Sequence, residues 1–353
     1  MKSWMLIVLF IVVFGQTGHA ASVPSKGHSP ERFAQSRVTR ISMHNVLFHV
    51  MDNVVLQINS LDGVLEPSSR NVIISLDDKS SFSLEMQNAT TSISSTDLAA
   101  LANGFILPRA KTPLKNLVLA FNPDQSIAVK GDFHKVVDVP FSAKATMHVT
   151  QDGNVRMHLS DMTVAGVIHQ NVLDLLGLKV SKVAQPKSKK VFQIVGNDII
   201  FPIDQMFPPP RVTGHLRAVS ISEDQLHLVF DQNRGSVPSE TSGQGSHAVP
   251  PVVAGESIYF WGGTMKFGLL TMSPVDLELV PLKPGANKSF EFSVDHYYEQ
   301  LVAGYSKSLP SKGLVVYMED ERDLNGVSQA NQKVSQRGDG RDTHESVQSG
   351  AKS

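Results

Sequence analysis

Residues 137–162 read VDVPFSAKATMHVTQDGNVRMHLSDM. Val139, Phe141, Ala143, Ala145, Met147 and Val149 alternate with mostly polar neighbours. Gln151-Asp152-Gly153-Asn154 breaks the pattern, and Val155, Met157 and Leu159 resume it. Successive side chains of a strand point to opposite faces, so a period of two on either side of turn residues predicts an antiparallel pair with one apolar face. The same signature extends outward. Upstream, Leu117, Leu119 and Phe121 lead into Asn122-Pro123-Asp124-Gln125, and Ile127, Val129 and Phe133 lead away. Further upstream Val54, Leu56 and Ile58 alternate, as do Val72, Ile74 and Leu76, then Phe82, Leu84 and Met86. Downstream, short strands are predicted over 191–195, 199–201, 212–220 and 226–230. Half-buried strands in this number make a wide antiparallel sheet.

Two helices interrupt the strands. Ser94 opens SSTD, where its hydroxyl can cap and Asp97 can answer three residues on. Leu98, Leu101, Ala102 and Phe105 then share one face, and Pro108 is expected to stop the helix. The second is predicted over QNVLDLLGLKV (170–180), with Val172, Leu173, Leu175 and Leu176 apolar and Gly177 at its end.

Composition bounds the rest. The chain has 353 residues, 41% hydrophobic and 18% charged, with net charge −1 and no cysteine. That is enough apolar material for a sizeable core. Near-neutral charge argues against nucleic acid as the main partner. Thiol catalysis, disulfides and cysteine-ligated metals are ruled out.

The first twenty residues read as a cleavable secretory signal. Lys2 supplies a positive start, 4–14 is the apolar run WMLIVLFIVVF, and small Gly18 and Ala20 sit two apart at the cleavage position. A membrane anchor needs roughly 20 apolar residues, whereas this run ends in Gln16, Thr17 and His19. The predicted organisation is a signal peptide (1–20), a flexible leader (21–37), an α+β domain (38–231) and a Gly/Ser/Pro-rich linker or surface loop (232–250). A β-rich block (251–320) packed on the main domain and a polar, disordered tail (321–353) follow. Export to the periplasm or extracellular space, soluble after cleavage, is the expected location.

Catalytic signatures are absent: no GxSxG, HExxH, GxxxxGK[ST] or helix-opening GxGxxG occurs. His44 and His49, five apart, fall on opposite faces of a strand, so metal ligation is not expected there. His296 with Asp295 and Glu299 reads as a solvated charged face. No cofactor and no enzyme activity are expected. A hydrolase would require paired carboxylates in an open cleft.

A wide sheet with one apolar face and only two helices to cover it buries that face by curling on itself. Such a sheet can leave a groove suited to an acyl chain, although periodicity alone favours a fully packed core. The groove would be lined by Leu98, Leu101 and Phe105 of the first helix, Val172, Leu173 and Leu176 of the second, and Phe82, Leu84, Met86, Phe141 and Met147 of the strands. Between the second helix and the next strand, Lys179, Lys182, Lys187, Lys189 and Lys190 interleave with apolar residues. Docking on an anionic membrane surface and a plain solvated loop explain them equally well.

Residues 113–162, then NVLDLLGLKVSKV (171–183) and VGNDIIFPIDQMFPPPRVTGHLRAVSISEDQLHLVF (195–230), resemble the LmeA-like phospholipid-binding family. The likeness covers about 38–230. Its most distinctive pieces are Gly196-Asn197-Asp198, Phe207-Pro208-Pro209-Pro210 and Gly214-His215-Leu216. The resemblance implies a TULIP-like fold: a long curled antiparallel sheet wrapped around two amphipathic helices, here with an extra C-terminal β-rich block. It implies a phospholipid or other acyl lipid as partner and no catalytic residues. The alternative is a non-catalytic envelope assembly factor with a filled core and a protein partner.

Overall fold

The structure is a computed structural model that describes residues 38–134, 136–169, 191–231, 255–285, 289–309 and 313–324. Its strands fall into three sheets of eleven, seven and three. The largest is built on β1 (Thr39–Met51), β2 (Val54–Pro67) and β4 (Phe82–Ser94), long antiparallel neighbours in the order β4-β2-β1. Beyond β4 come β14 (Gln225–Asp231) and β13 (Leu216–Ser222); beyond β1 come β15 (Ser257–Gly262), β18 (Val275–Pro281), β21 (Gly313–Met318) and β20 (Tyr305–Leu309).

The outer edges of β4 and β1 are each divided between two partners. The start of β4 pairs in parallel with β12 (Arg211–Gly214), and its second half pairs with β14. Residues 39–44 of β1 pair with β15 and residues 46–49 with β19 (Phe290–Ser293). The seam in β1 is Asn45, held in the left-handed region at φ 48°, a conformation that asparagine tolerates better than most side chains. Among the strands after residue 254, β15 and β19 are thus hydrogen-bonded directly to β1, and β18, β21 and β20 extend the sheet from β15. The three-stranded sheet joins β3 (Ile74–Ser75), β16 (Met265–Phe267) and β17 (Leu270–Met272).

The seven-stranded sheet is inserted between β4 and β12. It runs β10 (Gln193–Val195), β11 (Asp198–Phe201), β8 (Val155–Val164), β7 (Asp138–Val149), β6 (Ser126–His134) and β5 (Leu114–Phe121), with β9 (Val167–His169) paired to β8. The opening sequence stretch supplies β7 and β8, whose register joins Val149 to Val155 across the turn. Two backbone-like links tie this sheet to the larger one. Gln125 accepts from the Ile221 N–H at 2.8 Å and donates to its carbonyl at 2.5 Å, and Leu216 N–H donates to the Gly153 carbonyl at 3.1 Å. One continuous apolar cluster runs through both sheets, from Ile41, Ile58 and Phe260 to Ile127, Ala145 and Met162.

The expected single sheet curled around two helices is not what the chain forms. Each large sheet turns its apolar face to the shared core, so sheet covers sheet, and the described residues contain one helical run of 16 residues. It consists of α1 (Ser95–Leu101), a π-helical turn (Ala102–Ile106) and α2 (Leu107–Ala110). Ser94 caps it as predicted, its Oγ accepting from the Asp97 N–H at 3.1 Å. Pro108 does not stop it. The π turn shifts the backbone hydrogen bonds, and proline then falls in the first turn of α2, where its missing N–H is harmless. The run ends instead at Lys111, left-handed at φ 52°. Shorter helical pieces include a 3-10 turn (Ile203–Gln205) and α3 (Tyr297–Val302), which flank the regions described next. The second predicted helix, 170–180, lies outside the described residues.

Candidate functional site

Two apolar cavities lie between the layers. The larger sits on the inner face of the seven-stranded sheet, beneath the helical run. Counting all unfilled space with its mouth, it measures about 960 Å³. Eighteen side chains among the described residues line it, and every one of these is apolar. Leu98, Ala102, Ile106 and Leu107 come from the helix; Leu119, Val129, Phe141, Ala143, Met147, Val155, Met157 and Ile199 come from strands. Alternation explains the strand contribution, since Phe141, Ala143, Ala145 and Met147 share one side of β7. The helix is held over them by Asn103, whose amide donates to the Leu117 carbonyl and accepts from the Leu117 N–H, both at 2.8 Å. This pairing replaces ladder bonds at the bulge where β5 slips register against β6 between Lys115 and Val118.

The second cavity, about 690 Å³ on the same measure, lies on the inner face of β1, β2 and β4. Met43, Leu56, Ile58, Leu61, Leu84, Met86 and Phe230 form its floor, and the segment Phe207-Pro208-Pro209-Pro210 closes over it. The enclosed space open to a water-sized sphere is much smaller, about 110 Å³ in the larger cavity and about 60 Å³ in the smaller. The lining of the second cavity includes four polar or ionisable residues: His49, Lys79, Thr91 and Asp295. The His49 ring meets Glu291 at 2.7 Å, and Arg322 clamps the other Glu291 oxygen at 2.5 Å. Lys79 pairs with Asp295.

Lys79, Pro209, Val294 and Asp295 also line an open polar recess beside this cavity, together with Asp77, Asp78, Tyr297, Tyr298 and Glu299. Three of its four carboxylates are engaged. Asp77 accepts from the Tyr297 hydroxyl, Asp78 from the Ser80 N–H and hydroxyl, and Asp295 from Lys79. The Ser80 hydrogen bonds hold the Asp78 carboxyl below the ordinary carboxylate range, the reverse of what a general acid requires. Burial and Asp77 push the Tyr297 phenol upward. Among the described residues, no three His, Asp or Glu side chains are arranged to hold a metal ion, and no helix is long and apolar enough to cross a membrane.

Of the residues predicted to line a groove, Leu98, Phe141 and Met147 line the larger cavity, and Leu84 and Met86 the smaller. Phe82 and Leu101 are buried in the continuous core instead. Phe105 is half-buried, with the Arg109 guanidinium 4.5 Å above its ring. Val172, Leu173, Leu176, Lys179, Lys182, Lys187, Lys189 and Lys190 lie outside the described residues. His296, predicted as part of a charged face, contacts Glu321 at 2.6 Å. Sequence reasoning missed His49, Lys79, Thr91 and Asp295 as cavity residues. Thr91 could have been found, because it interrupts the inward series Leu84, Met86, Ala89, Ile93 on β4 with a hydroxyl.

No family model, curated protein or solved structure matches this chain. The LmeA-like resemblance therefore draws no support from those comparisons.

Proposed function

We propose that this chain is a non-enzymatic lipid-binding protein that takes the acyl chain of a phospholipid or related lipid into its apolar cavities. The observation that carries this reading is the larger cavity, whose lining among the described residues is wholly apolar. Such a space selects by hydrophobic burial, about 0.8 kcal/mol for each methylene removed from water. The smaller cavity suits an amphiphile: its apolar floor leads to Lys79 and Asp295, which face the polar recess as well. A tail on Leu84 and Met86 would leave its headgroup within reach of charged and hydroxyl groups. Unfilled apolar space favours this reading over an assembly factor with a filled core.

The export signal read in residues 1–20 fits a carrier that works between or beside membranes. Aliphatic side chains at one end of the seven-stranded sheet fit contact with a bilayer. Val136 and Val137 in the β6–β7 turn and Val167 and Ile168 on β9 are all exposed. They extend from the end where Phe141, a cavity residue, pairs with Val164, which pairs in turn with Val167. Protruding aliphatics of this kind insert at the headgroup boundary without needing a shaped partner.

Native mass spectrometry of protein purified without detergent tests the proposal, together with titration of a fluorescent fatty acid. Co-purifying lipid and saturable binding are expected. A lipid-free protein that ignores the probe would refute the reading.

A further inference from the structure

Among the described residues, the lining of the smaller cavity contains one buried polar atom without a hydrogen-bond partner. The Thr91 side-chain oxygen is fully buried and makes no hydrogen bond among the described residues, and the residue is 1% exposed. Its backbone is accounted for, paired with Ile58 of β2 and Leu228 of β14. Its surroundings on the same face are Ala89 and Ile93 along the strand and Ile58 and Leu228 across it, all buried and apolar. Period-two patterning assigns this position to an apolar residue, and valine would have the same shape. A hydroxyl here loses its water on folding and recovers nothing, a combination that native cores avoid.

Among the described residues the cavity offers Thr91 no acceptor, which leaves the partner to come from whatever enters the cavity. We infer that Thr91 is the polar anchor of a ligand site in the smaller cavity, donating its O–H to an acceptor oxygen on an otherwise apolar chain. The chemical class is an acyl ester or ketone rather than a bare hydrocarbon. Lys79 and Asp295 face the same cavity as charged groups already paired to each other, so the neutral hydroxyl is the group left to read an uncharged carbonyl. A buried donor built for an acceptor discriminates strongly against a ligand that lacks one, since the donor is then stranded. This inference rests on the acyl-pocket reading above, and it specifies what that reading leaves open.

The test compares methyl laurate with pentadecane, similar chains that differ in the ester, each displacing a fluorescent fatty acid from the full chain. Thr91→Val keeps the shape and removes the donor; Thr91→Ser restores the donor. The expected result is a loss of about fivefold to tenfold in methyl laurate affinity for Thr91→Val, with Thr91→Ser close to wild type and pentadecane unchanged. The ligand-free Thr91→Val protein should unfold at a higher urea concentration than wild type, because the stranded hydroxyl is gone. Equal weakening of both ligands, or an unchanged ester affinity, would overturn the assignment. So would a lower urea midpoint, which would mean that the hydroxyl is already satisfied in the free protein. Binding of pentadecane with no preference for the ester defeats the Thr91 anchor alone. Failure of wild type to bind either compound defeats the acyl-pocket reading as well.

Discussion

Met206 and Phe207 are consecutive residues that line different cavities: Met206 faces the larger one and Phe207 the smaller. The chain leaves the seven-stranded sheet at β11, turns through Ile203–Gln205 and enters β12 of the other sheet immediately afterwards. This crossing segment is therefore the wall between the two apolar spaces. Met206 is buried and packs in the continuous core. Met206→Ala should cost about 3 kcal/mol, the usual loss when a buried side chain is cut back and the hole does not collapse. Half-buried Phe207, cut to alanine, should cost less. Urea unfolding of both variants checks the order, and the reverse order would mean that the wall is anchored from the smaller cavity.

Ala143 is a small residue on the lining of the larger cavity, 7% exposed. Ala143→Phe should fill that space from β7 and lower affinity for a fluorescent fatty acid by roughly tenfold, which corresponds to about 1.4 kcal/mol. Circular dichroism would show that the sheets persist. Unchanged affinity in a folded variant would move the ligand out of this cavity.

Gln300 on α3 has no exposed surface, yet it carries a polar side chain. Its amide donates to the Glu291 and Glu319 carbonyls, both at 2.8 Å, and accepts from the Ser293 N–H at 2.9 Å. It thereby joins β19 to the segment that follows β21. Gln300→Leu would leave three backbone groups without this partner and should destabilise the protein by about 3 kcal/mol. Gln57→Leu, at an exposed position, should change stability by no more than about 0.5 kcal/mol. Chemical denaturation compares them, and similar losses would show that water replaces the Gln300 contacts.

Two histidine–carboxylate contacts should give pH dependences of opposite sign. Asp198 accepts from Arg156 Nε at 2.8 Å and lies 2.7 Å from the His158 ring. Arg156 foremost, with His158 assisting, holds its carboxyl below the ordinary range against the opposing effect of burial. Its contribution is complete above the unfolded-state value and is lost as pH falls through the depressed folded one. His296 is raised, chiefly by its hydrogen bond to Glu321. Its contribution is complete below its ordinary range and is lost as pH rises through the raised folded value. The stability gap between wild type and Asp198→Asn should therefore narrow in acid. The gap between wild type and His296→Gln should be widest at about pH 5 and narrow toward about pH 9. Urea midpoints measured from about pH 2 to about pH 9 decide, the Asp198 gap closing below about pH 4 and the His296 gap closing toward the alkaline end, and gaps that move in the same direction would disprove the assignment.

Local features of the fold were legible in the residues. The Val139–Val149 alternation becomes β7, Ser94 caps the helix, and Asn122-Pro123-Asp124-Gln125 turns between β5 and β6. The site was only partly legible. Leu84, Met86, Leu98, Phe141 and Met147 were found because inward residues line whatever space exists. Phe82 and Leu101 were inward by the same rule and are simply packed. Period-two patterning gives the side of a strand that faces apolar surroundings, and nothing in it separates filled space from empty.

The residues alone placed most of the strands and turns, their apolar faces and the start of the helical run, although the strand read over Val72–Leu76 keeps only Ile74–Ser75 and 212–220 divides into β12 and β13. These follow from backbone and side-chain chemistry within a few residues. Long-range packing sets the sorting of the strands into two large sheets and the placing of β15 and β19 along the two halves of β1. It also places the two cavities on either side of Met206 and Phe207. Those outcomes depend on pairings between residues more than two hundred positions apart, such as His49 with Glu291 across 242. Many strands present equivalent hydrogen-bonding edges and similar apolar faces, so the choice among partners is made by the packing of the whole chain.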